Sequence, residues 1–218
     1  MTFERIMVIL FTKVAQTVIA ERFTHTFFDN DGNRVRKIFA YLFSVFIAIF
    51  VNLFFYKPIF NFLSIFLGLS AIALSYNGTI KRKCMFVFYI LAVSCLIDLV
   101  VSAFLIKPFG YDGYSAFVSI FALLLLHAAQ LITEKFFGNN LGIELNNRYW
   151  LFIIASLLVC IISSIVIFMD KTVSSFSLSL VCGAFLLINI IISYLMDDLV
   201  KSSQKALENQ ALRDQVSS

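Results

Sequence analysis

Long apolar runs alternate with short polar connections along nearly the whole chain. Each run is close to the roughly 20 residues that cross a bilayer as an α-helix. Gly, Pro and Asn mark several connections, as in NGTIKRK at 77–83 and KPFGYDG at 107–113. The pattern predicts an all-α, polytopic transmembrane helical bundle with seven spans. The predicted spans are 3–20, 38–56, 58–76, 84–106, 115–137, 149–169 and 175–196.

The first run is the least apolar one, and it leaves a six-span alternative open. Polar or small residues recur along one face of its predicted helix, namely Lys13, Gln16, Thr17, Ala20 and Thr24. Such a stripe could face the interior of a bundle, or the segment could lie in the membrane interface as an amphipathic helix. Because only one charge, Lys13, falls in the middle of the run, we favour a spanning helix.

Composition supports the membrane class and excludes several others. The 218 residues are 61% hydrophobic and 14% charged, whereas soluble domains are about half apolar and a quarter charged. Membrane lipid is therefore an expected partner. The net charge of +4 is too small to indicate a nucleic-acid partner. No histidine, cysteine or glycine pattern predicts a metal site, a cofactor or a catalytic residue.

The distribution of Lys and Arg predicts the orientation of the bundle. Basic residues concentrate in one set of connections, including NRVRK at 33–37 and IKRK at 80–83, and in the C-terminal tail. The opposite set has only Arg5, Lys57, Lys107 and Lys171. By the positive-inside rule, the C-terminus is cytoplasmic and the N-terminus lies outside.

Four of the polar side chains within the predicted spans form a candidate intramembrane cluster: Lys13, Asp98, His127 and Gln130. From the helical rise, Asp98 lies roughly 12 Å, Lys13 roughly 15 Å and His127 roughly 18 Å from the outer end of its helix. The charged groups could therefore meet in one layer. A structural interaction that holds helices together is the favoured interpretation, and a ligand-sensing or proton-relay cluster is the alternative.

The last twenty-odd residues are polar and lack Gly and Pro, as in SQKALENQALRDQVSS at 203–218. We predict that 197–218 is a cytoplasmic linker helix that continues the last span. An apolar seam with coiled-coil-like spacing runs along it, at Met196, Val200, Leu207 and Ala211. A seam of this kind, joined to a transmembrane helix, could pass a motion inward to a paired effector domain, and a frayed, solvated end is the alternative.

Taken together, these features resemble the membrane sensor region of peptide-responsive quorum-sensing histidine kinases of Gram-positive bacteria. This is the accessory-gene-regulator type, whose catalytic half is a GHKL-type ATPase. The resemblance spans essentially the whole chain and rests on a pattern. Its elements are AERFTHTFF at 20–28, NRVRK at 33–37, YNGTIKRK at 76–83, Asp98, Asn189, YLMDDL at 194–199 and KALENQALRDQ at 205–215.

The resemblance implies a receptor of a two-component signal-transduction system in the cell membrane of a Gram-positive bacterium, and it implies a homodimer that pairs through the C-terminal helix. A secreted peptide would bind at the outer ends of the spans, and the last helix would relay the signal to a kinase core. The expected ligand-binding residues are Phe55, Tyr56, Asn61, Tyr111 and Tyr114. These 218 residues contain neither a phosphoacceptor-histidine segment nor ATP-binding motifs, so no enzymatic activity is expected of them. The alternative is a small secondary transporter or channel with a polar site at Asp98, His127 and Lys13.

Overall fold

The computed structural model describes residues 3–28, 33–55, 58–110 and 115–137, together with 157–159, 161, 162 and 202. Regular structure in this part of the chain is entirely helical, which confirms the predicted all-α fold there. The helices are α1 (Phe3–Phe27), α2 (Arg34–Phe54), α3 (Pro58–Ser75), α4 (Ile80–Val101), the short α5 (Lys107–Phe109) and α6 (Ala116–Phe137), and a π-helical turn, Ser102–Ile106, joins α4 to α5.

Polar side chains define where several helices begin. Asn33 accepts a hydrogen bond from the Val35 N–H at 2.9 Å, at the start of α2. Thr79 accepts one from the Arg82 N–H at 3.4 Å, and Ser115 accepts one from the Val118 N–H at 3.3 Å. Each side-chain oxygen accepts a hydrogen bond from a backbone N–H of the first helical turn, which has no acceptor within the helix. Capping residues in the connections therefore define where α2, α4 and α6 begin.

Helix α1 contacts three other helices, although it is the least apolar of the predicted spans. It packs on α2, α4 and α6, while α3 packs on α2 and α4, and α4 also packs on α6. The core is richest toward the end of the bundle where α1 finishes, and it includes Phe23, Phe27 and Phe86. Leu157 and Ile161, from the predicted sixth span, are buried in the same core.

Helices α2 and α3 approach each other closely at Gly68 and Ser44. A Cβ atom added to Gly68 in α3 would lie 2.5 Å from the Ser44 Oγ and 3.3 Å from the Ser44 Cα in α2. Two small residues therefore meet where the helices cross. This is how membrane helices commonly achieve close backbone packing.

Three described helical segments are long and apolar enough to cross a membrane: Arg34–Phe54, Ile80–Ile106 and Ala116–Lys135. Helix α3 is apolar but shorter, over Ile59–Ser75. Helix α1 is not among the three, and it carries Glu4, Arg5, Lys13, Glu21 and Arg22. The membrane-protein class thus has structural support, and the seven-span count stays a prediction.

Three helices extend beyond the predicted apolar runs, and one of them is α2, which begins at Arg34 and not at residue 38. Helix α1 continues past residue 20, through Glu21 and Arg22 to Phe27, so Arg22 lies on the helix and not in a connection. Ala, Glu and Arg favour helix, and Phe23 and Phe27 then reach the core. Helix α4 begins at Ile80 because Thr79 caps it, and its first turn includes Lys81 to Lys83.

Several predictions lie outside the described residues. These are the predicted span 175–196, most of the predicted span 149–169, the linker helix 197–218 apart from residue 202, and the seam residues Met196, Val200, Leu207 and Ala211. Tyr56, Tyr111 and Tyr114 of the expected ligand site also lie outside them.

Candidate functional site

A polar network joins α1, α2 and α3 in the half of the bundle that the positive-inside rule predicts to be outer, and the terms outer and inner follow that prediction. The Lys13 ammonium donates to the Gln16 Oε1 at 3.2 Å and to the Asn61 Oδ1 at 3.3 Å. The Asn52 amide nitrogen donates to the same Asn61 oxygen at 2.9 Å, and to the Ala48 carbonyl oxygen at 2.8 Å. Asn61 is therefore the centre of this network, which we call the outer network: Lys13, Gln16, Asn52 and Asn61.

Local sequence explains how these groups meet. Lys13 and Gln16 are one turn apart on α1 and share a face. Asn52 is near the end of α2 and Asn61 is near the start of α3, so the short α2–α3 connection brings them together. The Lys13 side chain is buried, with 8% of its surface exposed, and so is that of Asn52. A buried ammonium requires such oxygen partners, because desolvation is otherwise costly.

Asp98 of α4 provides the negative charge opposite Lys13. The two side chains attract each other electrostatically, although the hydrogen bonds of Lys13 go to Gln16 and Asn61. The Asp98 side chain is exposed.

His127 and Gln130 lie deeper toward the inner end than Asp98. The Tyr89 hydroxyl hydrogen-bonds the Thr133 hydroxyl at 2.8 Å, which puts these residues of α4 and α6 at one level. From that level, Asp98 is about 13 Å further out along α4, His127 about 9 Å out along α6 and Gln130 about 4 Å. Gln130 donates to the Glu134 carboxylate at 2.7 Å. The structure thus brings Lys13 and Asp98 within electrostatic range of each other, whereas Gln130 lies in another layer and pairs with Glu134.

Aromatic side chains flank the outer network at the α2–α3 connection. The rings of Phe55 and Phe60 lie 5.0 Å apart, and Phe50 contacts both Phe54 and Phe55. Phe50, Phe54, Phe55 and Phe60 all have exposed side chains. Of the expected ligand residues, Phe55 and Asn61 therefore lie in one region. An apolar surface borders hydrogen-bonding groups there, which suits an amphipathic ligand.

A second polar network, which sequence reasoning missed, lies near the inner end of the bundle. The hydroxyls of Thr24, Tyr41 and Tyr76 form a triangle in which all three oxygen pairs are 3.1 Å apart. We call it the hydroxyl triangle. Thr24 has no exposed surface, and its hydroxyl also donates to the Glu21 carbonyl oxygen at 2.6 Å. The triangle ties α1, α2 and the residue after α3 together.

Aromatic contacts surround the hydroxyl triangle. Phe28 stacks on Tyr76 with ring centroids 5.3 Å apart, and Phe27 packs edge-on against Phe86 at 5.6 Å. The sequence contains one signal for this layer, since Tyr and Thr hydroxyls within apolar segments need a partner. It does not indicate which hydroxyls pair, because the partners lie 17, 35 and 52 positions apart.

The described residues include no group of three or more His, Cys, Asp and Glu side chains that could hold a metal ion. Cys84 and Cys95, the two cysteines described, are thiols and not disulfides, and both are half-buried. The chemistry that this part of the chain offers is hydrogen bonding and charge. No protein-family model, curated protein or solved structure matches the chain.

Proposed function

We propose that this chain is the membrane sensor region of a two-component signalling histidine kinase, and that it binds an extracellular peptide at the outer end of the bundle. The observation that carries the proposal is the outer network and its setting. A cation, three side-chain amides and the Asp98 carboxylate come from four helices, and exposed Phe side chains border them. Amides recognise the peptide backbone, and the aromatic surface accommodates apolar side chains.

Binding at this site would alter contacts between helices. Asn61 accepts hydrogen bonds from both α1 and α2, so a peptide carbonyl or amide that competes for these groups changes how α1, α2 and α3 sit together. A ligand shifts a conformational equilibrium by the difference in its affinity for the two states. The outer network suits such a shift because it has few hydrogen bonds, and peptide groups could replace them.

Helix α1 provides a route from the outer network to the inner end. Lys13 lies in the outer network and Thr24 in the hydroxyl triangle, roughly 16 Å apart along one helix. A shift or rotation of α1 as a rigid rod would therefore reach the inner network. We propose that the last helix, through Met196, Val200, Leu207 and Ala211, then conveys the change to a paired kinase core outside these 218 residues.

Binding and transmission can be tested separately. The chain is reconstituted in lipid nanodiscs, and secreted peptide fractions from the source culture are titrated while thermal stability reports binding. Spin labels on Ser217 of each copy, placed through Ser217→Cys, report the distance between the tails. We expect Asn61→Ala to abolish saturable binding, and Tyr76→Phe to retain binding while reducing the change in tail distance. Saturable binding with no change in tail distance for the unsubstituted chain would refute signal relay.

A small secondary transporter or channel is the second candidate, and one structural feature favours it. Asp98 is exposed in a membrane-length helix, and the π-helical turn Ser102–Ile106 follows it within one helical turn. Irregular helical segments beside an ionisable group are common at transport sites. On this interpretation Asp98→Asn abolishes ion or solute flux into proteoliposomes. On the receptor interpretation no flux is present to be lost, and only the peptide response changes.

A further inference from the structure

Two helices start at the same end of the bundle with a concentration of positive charge. The first turn of α2 contains Arg34, Arg36 and Lys37, and the first turn of α4 contains Lys81, Arg82 and Lys83. We call these six residues the basic rim. Neither helix has an acidic residue in its first turn. The connection before α2 contains two acidic residues, Asp29 and Asp31.

Tertiary contacts bring the two halves of the basic rim together. The Lys37 ammonium lies 4.3 Å from the centre of the Tyr76 ring, and Tyr76 immediately precedes the turn that starts α4 at Thr79. The Tyr41 hydroxyl, one turn further along α2, bonds the Tyr76 hydroxyl. The starts of α2 and α4 therefore lie near Tyr76 at the same end of the bundle, and the Lys37 side chain is buried against the Tyr76 ring.

The exposed cations Arg34 and Arg36, at the start of α2, favour a bound anion. Cations repel one another at short range, and the positive end of a helix dipole disfavours cations in its first turn. Within the described part of the chain, Arg34 and Arg36 are exposed and make no ion pair. An anion bound between the two helix starts would relieve this repulsion.

Exposed apolar side chains adjoin the same bases. Val35, Ile38 and Phe39 alternate with Arg34 and Arg36 on α2 and are 59%, 50% and 68% exposed, and Ile80 beside Lys81 is 67% exposed. A small soluble anion has no apolar part that could pack on these side chains. A phospholipid has both parts, since its headgroup is anionic and its acyl chains are apolar.

We propose that the basic rim is a binding site for the headgroup of an anionic membrane phospholipid, with Arg34 and Arg36 contacting the phosphate and Val35, Ile38 and Phe39 contacting the acyl chains. The site is separate from the outer network and does not depend on which signal the chain detects. It would make the stability of the inner end responsive to the lipid composition of the membrane.

The test uses the full chain in neutral detergent, with thermal unfolding followed while dioleoyl phosphatidylglycerol is titrated in. We expect a saturable rise in unfolding temperature that phosphatidylcholine with the same acyl chains does not produce. A basic residue near a charged lipid surface contributes about fivefold to affinity, so Arg34→Gln/Arg36→Gln should weaken the apparent affinity about 25-fold. The matched control is Arg22→Gln/Lys135→Gln, which removes the same charge from exposed positions at the same end.

The control should retain the affinity of the unsubstituted chain. Equal weakening by both double variants would show diffuse attraction to a positive surface and would overturn the site. A matching temperature rise with soluble glycerol phosphate would show a free-anion site and would overturn the assignment to lipid. An equal rise in unfolding temperature with phosphatidylcholine would show that headgroup charge is not recognised, and it would overturn the proposal.

Discussion

Lys13 of α1 donates a hydrogen bond to the Asn61 Oδ1 of α3 at 3.3 Å, across 48 positions of sequence. The contact sets the level of α1 against the α2–α3 pair, because Asn61 lies in the first helical turns of α3. It also combines two features that are separate in the sequence, a charge within a weakly apolar run and an amide near a connection. Asp98 adds the opposing charge from a fourth helix.

Lys13→Met should destabilise the bundle. The change leaves the Asp98 charge without its nearby cation and removes one donor to Asn61, so we expect a loss of about 1–3 kcal/mol in the free energy of unfolding. Asp98→Asn in addition should cost about 1 kcal/mol less than the sum of the single changes. Unfolding in mixed micelles by denaturing detergent measures all three variants. Strict additivity of the two changes would show that Lys13 and Asp98 do not interact.

Substitutions in the hydroxyl triangle should lower the free energy of unfolding non-additively. Tyr41→Phe and Tyr76→Phe each remove two hydrogen bonds, but the bond between these hydroxyls is common to both. Each change should cost about 0.6 kcal/mol, and the double variant should cost less than the sum. Tyr89→Phe is the matched control, because its hydroxyl pairs with Thr133. Its effect should add to that of Tyr76→Phe. Full additivity of Tyr41→Phe and Tyr76→Phe would contradict the triangle.

Gly68→Ala should force α2 and α3 apart. The new methyl group would meet the Ser44 Oγ at 2.5 Å and the Ser44 backbone at 3.3 Å, so we expect a destabilisation of about 1–3 kcal/mol. Ser44→Gly/Gly68→Ala should recover most of that stability, because the obstructing side chain is gone. The same unfolding assay applies.

Gly110→Ala is the comparison for Gly68→Ala. A Cβ atom at Gly110 has nothing within 4 Å, but its φ of +67° is unfavourable for other residues. It should cost about 1 kcal/mol, and Ser44→Gly should not alter that cost. If Ser44→Gly restored the stability of both alanine variants, packing against Ser44 would not be the cause of the destabilisation by Gly68→Ala.

The span count can be decided by labelling. In a background without the native cysteines, Phe3→Cys and His25→Cys place thiols at the two ends of α1, where Phe3 and His25 are exposed. If α1 spans the membrane, an impermeant maleimide added to intact cells should label the first position, and the second should react only after lysis. Labelling of both positions from one side would support the six-span alternative.

Helix positions were largely predictable, and their ends less so. The apolar runs 38–56, 58–76 and 115–137 correspond to α2, α3 and α6. Hydropathy did not indicate that α1 continues through Glu21 and Arg22, because those residues are exposed and only their neighbours pack. The candidate site was partly predictable for a similar reason. Lys13 and Asp98 stand out as charges in apolar runs, whereas Gln16 and Asn52 acquire a role only beside Asn61.

An α-helical membrane chain could be established from sequence alone, since backbone groups in lipid must bond within their own segment and long apolar runs therefore become helices. Which helices touch, and at what level, depended on tertiary packing. Small residues such as Gly68 and Ser44 determine how closely two helices approach, and that approach determines which distant polar groups meet. The pairing of Lys13 with Asn61, and of Thr24 with Tyr41 and Tyr76, is accordingly a property of the assembled bundle.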